Sequence, residues 1–269
     1  MPIATLADMT WEEVDTLDRR RTVAILPVGA IEAHGPHLPL GTDGIIAEAM
    51  AHAGAARLHA RGYHVLILPR IDYTPASFAA AFPGTISLPG EIFTQQIVSL
   101  VRALARQGIE TTVIANSHFD PENLSALRHA VKTIFTDSAA RLVFPDLTRK
   151  PWALRLTDEF KSGACHAGQY EGSIVLAAKP EAVRASIQSE LPDNPRSLTR
   201  AMREGHTTFE AAGGPRAYFG FPSMASEEEG HDTIATLGEI IEEATLEALN
   251  GAGADTRDEP ASENEERDA

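Results

Sequence analysis

Residues 22–58, TVAILPVGAIEAHGPHLPLGTDGIIAEAMAHAGAARL, decide the fold. Thr22 to Val28 is an aliphatic run of strand length, and Asp43 to Leu58 is a segment of helix formers with apolar residues at helical spacing. Between them lies a Gly/Pro-rich loop that carries Glu32, His34, His37 and Asp43. A strand, a loop and then a helix make the repeating unit of a parallel sheet, because parallel strands need a crossover between them. The rhythm continues outward. Tyr63 to Pro69 (YHVLILP) reads as a second strand, Pro89 to Gln107 as a helix stopped at Gly108, and Glu110 to Asn116 (ETTVIAN) as a third strand. Asn123 to Asp137 is expected to be helical, Arg141 to Phe144 a further strand, Ser173 to Lys179 an apolar element stopped by Pro180, and Ile234 to Leu249 a closing helix. No repeat and no long linker divides the chain. The pattern predicts one α/β domain with a mainly parallel sheet over residues 1–252, followed at 253–269 by an acidic, solvated and disordered tail.

With 43% hydrophobic residues the 269-residue chain can bury a core. Its net charge of −15, from 38 acidic and 23 basic residues, argues against a nucleic-acid or anionic-membrane partner. One cysteine, Cys165, cannot make an intramolecular disulfide, and the first residues lack a secretory leader, so a cytoplasmic enzyme is expected. No apolar run approaches the ~18 residues of a membrane span. Cys165 next to His166 suggests a thiol hydrolase, but sequence neighbours rarely bring a base onto a nucleophile, and Cys165 is expected to be a small, half-buried residue. No phosphate-binding or dinucleotide fingerprint follows a strand.

The loop after the first strand is the richest in chemistry. Loops leaving the C-terminal ends of parallel strands form the usual ligand crevice. Two residues apart in an extended segment, Glu32 and His34 point to the same side and can converge on one ion. A mixed Glu/His/Asp set suits Zn, Mn or Fe(II). The alternative is a polar turn in which the His and Asp side chains cap backbone groups.

Glu32 to Asp43, E-x-H-G-P-H-L-P-x-x-T-D, resembles the signature of the creatininase (creatinine amidohydrolase) family. The resemblance continues through Asn116-Ser117-His118, His166-Ala167-Gly168 with Glu171-Gly172-Ser173, and Phe219-Gly220-Phe221-Pro222 ahead of Ala225-Ser226-Glu227 and Gly230. It implies a single-domain three-layer α/β/α fold with a mostly parallel sheet, assembled as a homo-oligomer, with a hexamer as the family form. It also implies one or two divalent transition-metal ions (Zn, Mn or Fe) at the strand C-termini. By the family pattern Glu32 and His118 hold one ion, His34 the second, and Asp43 bridges them. Asn116 to Asn123 (NSHFDPEN) departs from the common His-Gly-Gly-Asn form and is nearer His-Tyr-Glu-Asn, which makes Asp120 the carboxylate of the second ion. Glu122 is the other candidate, and Asp followed by Pro is also a helix N-cap signature.

His166 matches the residue expected to move a proton to the leaving nitrogen, and Glu171 a ligand or its partner, with Gly172 where the family has Thr. Either residue also fits a purely structural role in ordering the loop. Phe82-Pro83-Gly84-Thr85 matches a substrate-side stretch, with Ser77 or Phe78 facing the ligand, Phe119 beside it and Trp152 as a further wall. The alternative for these aromatics is core packing. The activity implied is metal-dependent hydrolysis of a C–N bond in a small cyclic amide or formamide by an activated water, with a small-molecule substrate as partner. Peptidase members that trim a redox-cofactor precursor, and a degenerate binding protein that kept the scaffold, are the alternatives. Gly172 and Asp120 are the features that favour the last.

Overall fold

Every residue of the strand TVAILPV is buried, because it forms the middle of the sheet and both of its faces are covered. In the computed structural model, which describes residues 3–136 and 140–251, the strands are β1 (Ala4–Thr5), β2 (Thr22–Val28), β3 (His64–Ile67), β4 (Thr111–Asn116) and β5 (Arg141–Val143). They form one sheet of order β1-β3-β2-β4-β5, with every neighbouring pair parallel. The helices are α1 (Trp11–Asp15), α2 (Thr42–Ala60), α3 (Gly90–Arg106), α4 (Pro121–Phe135), α5 (Asp158–Ser162), α6 (Gln169–Ala178), α7 (Ala185–Gln188), α8 (Leu198–Arg203), α9 (Phe209–Ala212) and α10 (Glu227–Leu249).

Alternate residues of β2 enter different cores, as the two-residue period of a strand requires. Val23 and Ile25 pack with Met50 and Leu58 of α2, Ile174 of α6 and Leu237 and Ile240 of α10. Ala24 and Leu26 pack with Phe93, Ile97 and Val101 of α3 and Leu127 and Ile134 of α4. The result is helix, sheet, helix in three layers. On the first face α10 crosses α6 so closely that a Cβ on Gly230 would lie 1.9 Å from the Ser173 carbonyl oxygen. A third cluster, Phe78, Leu198, Ala201, Phe209 and Phe219 among others, roofs the C-terminal end of the sheet with the short helices α8 and α9.

Several boundaries differ from the sequence reading for local reasons. The closing helix starts at Glu227, well before Ile234, because the Ser226 hydroxyl caps it and Glu227, Glu228 and Glu229 fill its first turn. Pro121 rather than Asn123 begins α4, behind the Asp120 cap. The apolar element at Ser173 is a helix that starts at Gln169. The edge strand β1 is two residues long, too short to carry a periodic signal. The sheet, expected to be mostly parallel, is parallel throughout. Residues 253–269, expected as a tail, lie outside the described residues. No helix among the described residues is long and apolar enough to cross a membrane.

Candidate metal centre

The loop that leaves β2 is held by backbone hydrogen bonds within itself and to two other segments. Gly29 N–H donates to the Ile71 carbonyl (2.9 Å), Glu32 N–H to Leu40 (3.0 Å) and Gly35 N–H to Ala217 (2.7 Å). Held this way, Glu32 and His34 turn inward, 2% and 1% exposed. Asp43 projects from the first turn of α2, where the helix N-terminus favours a carboxylate. His118 lies two residues beyond the end of β4, and its carbonyl accepts from the side-chain amides of Asn116 and Asn123, both at 2.8 Å. Glu171 comes from the first turn of α6, with Oε2 accepting the Ala167 N–H at 2.6 Å.

These side chains converge. Asp43 Oδ2 lies 3.0 Å from His118 Nδ1, and Glu32 Oε1 lies 3.6 Å from the same nitrogen. Asp43 Oδ1 lies 3.4 Å from His34 Nε2, with Glu171 Oε2 3.6 Å away. Asp43 therefore joins two triads, Glu32–Asp43–His118 and His34–Asp43–Glu171, whose donor atoms fall within 4.8 Å of one another. Ligands ~2.0–2.2 Å from a common ion are themselves about 3.3–4.4 Å apart, so the spacing suits a metal. Glu32, His34 and His166 make a third such group, with His166 Nδ1 3.6 Å from Glu32 Oε1.

The ring orientations fit metal ligation. His118 Nε2 faces the Pro75 carbonyl at 2.7 Å, His34 Nδ1 the Glu32 carbonyl at 3.0 Å, and His166 Nε2 the Ala33 carbonyl at 2.9 Å. With the ring N–H given to each carbonyl, the other nitrogen is the one that faces the carboxylates and would offer its lone pair to a cation. This is the outer-sphere arrangement that orients metal-binding imidazoles. Glu32 Oε2, His34 Nε2 and Asp43 Oδ2 are buried without a hydrogen-bond partner, a costly state unless a cation joins them. The residues present thus fit one or two divalent ions.

The electrostatics agree. Burial would push His118 down, yet Glu32, Asp43 and Asp120 hold it up at about 10. Burial is likewise outweighed at His34, which Asp43, Glu171 and Glu32 hold at about 10. Burial pushes Glu32 up to about 7 and Glu171 up to about 8, whereas His34 and His118 overcome burial at Asp43 and hold it well below the usual carboxylate range. Without a cation, the cage is filled with protons. Burial and the nearby His34 drive His166 far down, so its imidazole is neutral. Burial pushes the Cys165 thiol up, which keeps it protonated and no nucleophile.

Asp120 stands apart from the two triads. Its Oδ1 accepts from Glu122 N–H at 2.8 Å, and its Oδ2 accepts from the Ser77 hydroxyl and the Phe78 N–H, both at 3.1 Å. Both oxygens are occupied in capping α4 and fixing the 77–79 turn. Glu122 accepts from Gly90 N–H at 2.8 Å and is also no part of the cluster. The carboxylate beside His34 is Glu171 instead. His37, in the same loop, is fully buried, stands edge-on to Tyr218 (ring centroids 6.4 Å apart) and belongs to no ligand group.

A cavity of about 670 Å³ opens over the cluster, with Glu32, Asp43, His118, His166 and Glu171 in its wall. Phe119 lines it, braced by Phe160 in an edge-on contact at 5.4 Å. Of the pair Ser77 and Phe78, Phe78 is the lining residue, because the Ser77 hydroxyl is drawn to Asp120. Trp152, expected as a wall, packs against the α2–α10 core instead, and Ala153 and Leu154 from the same turn line the cavity.

Two supporting residues escaped the sequence reading. Asn123 holds the His118 carbonyl. Glu159 of α5 accepts the backbone N–H groups of Gln169 (2.8 Å), Tyr170 (2.6 Å) and Phe221 (2.7 Å). Gly168 and Gly220 leave room for that carboxylate, since a Cβ on either would come within 2.5 Å of it. Glu159 thereby anchors the start of α6, the helix that presents Glu171. The only sequence trace of it is the pair of glycines, whose common neighbour is visible only in the fold.

The model of the creatinine amidohydrolase family matches residues 7–245. The chain belongs to the creatininase family. A mycofactocin precursor peptide peptidase of Mycobacterium tuberculosis (strain ATCC 25618 / H37Rv) is 31% identical over 223 residues, covering 79% of this chain and 80% of that one. A creatinine amidohydrolase of Pseudomonas putida is 29% identical over 196 residues, covering 66% of this chain and 73% of that one. A mutant creatininase of Zn–Zn type shares the fold with a TM-score of 0.70 at 22% identity, covering 92% of this chain and 98% of that one. This chain is accordingly a creatininase-family amidohydrolase, a hydrolase of C–N bonds, with buried groups suited to a metal ion.

Proposed function

We propose that the enzyme hydrolyses a C–N bond of a small cyclic amide or formamide, with Glu32, Asp43 and His118 holding one divalent ion and His34, Asp43 and Glu171 a second. The observation that carries this reading is the set of buried, unpartnered donor atoms on Glu32, His34 and Asp43, in the wall of a cavity large enough for a substrate. The N/O donor set suits Zn, Mn or Fe(II). Such ions, when bound, polarise a carbonyl and lower the pKa of water from ~15.7 to about 7.

The protein's own groups do the rest. Asp43 and Glu32 offer their oxygens to the ions, while the Pro75 and Glu32 carbonyls keep the His118 and His34 rings turned toward them. His166, neutral and facing Glu32 from the cavity wall, takes a proton from the attacking water and gives it to the leaving nitrogen. Phe78 and Phe119 shield the reacting atoms from bulk water. The enzyme is proposed to work in the cytoplasm as a homo-oligomer. A peptidase-type activity on a short peptide is the second reading, favoured by a cavity of about 670 Å³, ample for a ligand larger than a lactam.

The test is elemental analysis of wild type beside His34→Ala and His118→Ala, with turnover of creatinine, simple formamides and short peptides measured on the same samples. Bound transition metal that both variants lose, together with turnover of a cyclic amide or formamide, is the expected result. A folded wild type that takes up no Zn, Mn or Fe would sink the reading, and full metal occupancy without turnover would make the chain a binding protein.

A further inference from the structure

The charge along the cavity is sharply divided. Its acidic wall residues are Glu32, Asp43, Asp120 and Glu171, all buried and therefore at the closed end. The ionisable residues at the open end are all basic: Arg128, Lys150, Lys161, Arg200 and Arg203. This is a concentration of positive charge in a chain whose net charge is −15. Three of these cations are neutralised, Arg128 by Asp146 at 2.6 Å, Lys161 by Asp158 at 2.8 Å and Arg200 by Glu204 at 2.9 Å.

Lys150 and Arg203 make no ion pair with any described residue, and both are exposed. They come from separate segments, the chain after β5 and the last turn of α8, yet line one cavity. Thr199 adds a hydroxyl group beside them, whereas the hydroxyls of Thr148, Ser162 and Ser197 already donate to Asp146 and to the Glu159 and Ser162 carbonyls. Two uncompensated cations beside a hydroxyl suit an oxyanion. Because the closed end carries the carboxylate cage, the two ends of a bound molecule meet opposite chemistry.

We propose that the substrate carries an oxyanion, a carboxylate or a phosphate, at the end remote from the scissile C–N bond, and that Lys150 and Arg203 select for it. This rests on the amidohydrolase reading and narrows its substrate class. Lys150 offers a mobile point charge and Arg203 a planar fork, a pair that accommodates either anion. The cationic mouth also draws an anionic substrate past an otherwise acidic surface.

The test uses the metal-loaded enzyme and matched amides or formamides whose remote end is neutral, carboxylated or phosphorylated. Wild type is expected to prefer an anionic member by about tenfold or more in kcat/KM at low ionic strength, through KM, with the preference shrinking as salt screens the mouth. The double variant K150Q/R203Q should lose that preference and K150R/R203K keep it. Melting temperature and metal content show that each variant is intact. Comparing the carboxylated with the phosphorylated member identifies the anion. Equal use of neutral and anionic members by wild type, or an unchanged preference in K150Q/R203Q, overturns the proposal. If no amide is turned over, the amidohydrolase reading fails. The anion site is then still tested by titrating succinate and inorganic phosphate into wild type and K150Q/R203Q, where binding weakened by the double variant supports it and equal binding refutes it.

Discussion

Replacing Glu159 by Gln keeps the shape of the side chain and removes its charge. In the wild type Oε1 accepts from Gln169 and Phe221 at 2.8 and 2.7 Å, and Oε2 from Tyr170 at 2.6 Å. An amide has one acceptor oxygen. Placed best, that oxygen keeps the Gln169 and Phe221 bonds as neutral ones, and the NH2 group then faces the Tyr170 N–H. One buried donor is orphaned, which costs about 1–3 kcal/mol, and two charge-assisted bonds each weaken by roughly 1 kcal/mol. Relief of the burial that pushes the Glu159 carboxyl up offsets part of this, leaving about 2–3 kcal/mol. For a domain of this size that is a fall in Tm of about 5–10 °C. Calorimetry of metal-loaded E159Q beside wild type checks it. A melting point within a degree of wild type, with full metal occupancy, would refute the view that this carboxylate anchors α6.

In metal-free protein, the raised pKa values of His34 and His118 (about 10 against 6.5) and of Glu32 and Glu171 (about 7 and 8 against 4.5) all have one sign. Their stabilisation is complete below the ordinary values and is lost as pH rises through the folded ones. The lowered pKa values of His37 and His166 act in the opposite sense up to the ordinary imidazole value, so melting in chelator should worsen from about pH 7 to pH 10, whereas added metal, which replaces those protons, should flatten the decline; chelated protein that gained stability over that range would contradict the cage. Asp120→Ala should cost about 1–2 kcal/mol as a lost helix cap yet leave metal stoichiometry unchanged, while Glu171→Gln should lose the second ion; elemental analysis showing the reverse would reassign the ligand. Gly230→Ala should destabilise by about 3 kcal/mol or more in denaturant melts, because its Cβ would meet the Ser173 carbonyl at 1.9 Å.

The sheet was legible because each strand's information is local. TVAILPV and TTVIAN are buried on both faces and show it in their composition. The α3 stripe of Phe93, Ile97, Val101 and Leu104 shows its helical period in the same way. What stayed hidden was non-local. The start of α6 carries no capping side chain of its own; its cap is Glu159, from another helix. The stretch from Asp146 to Ala225 is built of turns and helices of at most ten residues, too short for periodicity to register, and it supplies much of the cavity. Trp152 illustrates the same limit. Its neighbours Ala153 and Leu154 reach the cavity, and nothing in a Pro-Trp pair says which way a single turn faces.

The proposed ligand set divides on the same line. Glu32, His34 and His118 lie in the loops that leave β2 and β4, and Asp43 at the start of α2, positions the strand-loop-helix pattern fixes. For the second ion's carboxylate the sequence offered Asp120, and Asp120 is drawn elsewhere by Pro121. The proline opens α4, so the preceding carboxylate folds onto the Glu122 N–H, and the Ser77 and Phe78 donors take its other oxygen. Unlike Glu32 and Asp43, Asp120 keeps no buried oxygen in want of a partner. The place beside His34 falls to Glu171, whose position depends on α6 and hence on Glu159. The two proposed ions should accordingly respond differently to E159Q. The Glu32–Asp43–His118 ion is held from β2, α2 and β4 and should bind nearly as in wild type, whereas the ion that needs Glu171 should weaken. Titration of metal into apo E159Q is expected to give one site of near-wild-type affinity and one weakened site. Equal weakening of both, or of neither, would separate Glu159 from the second ion.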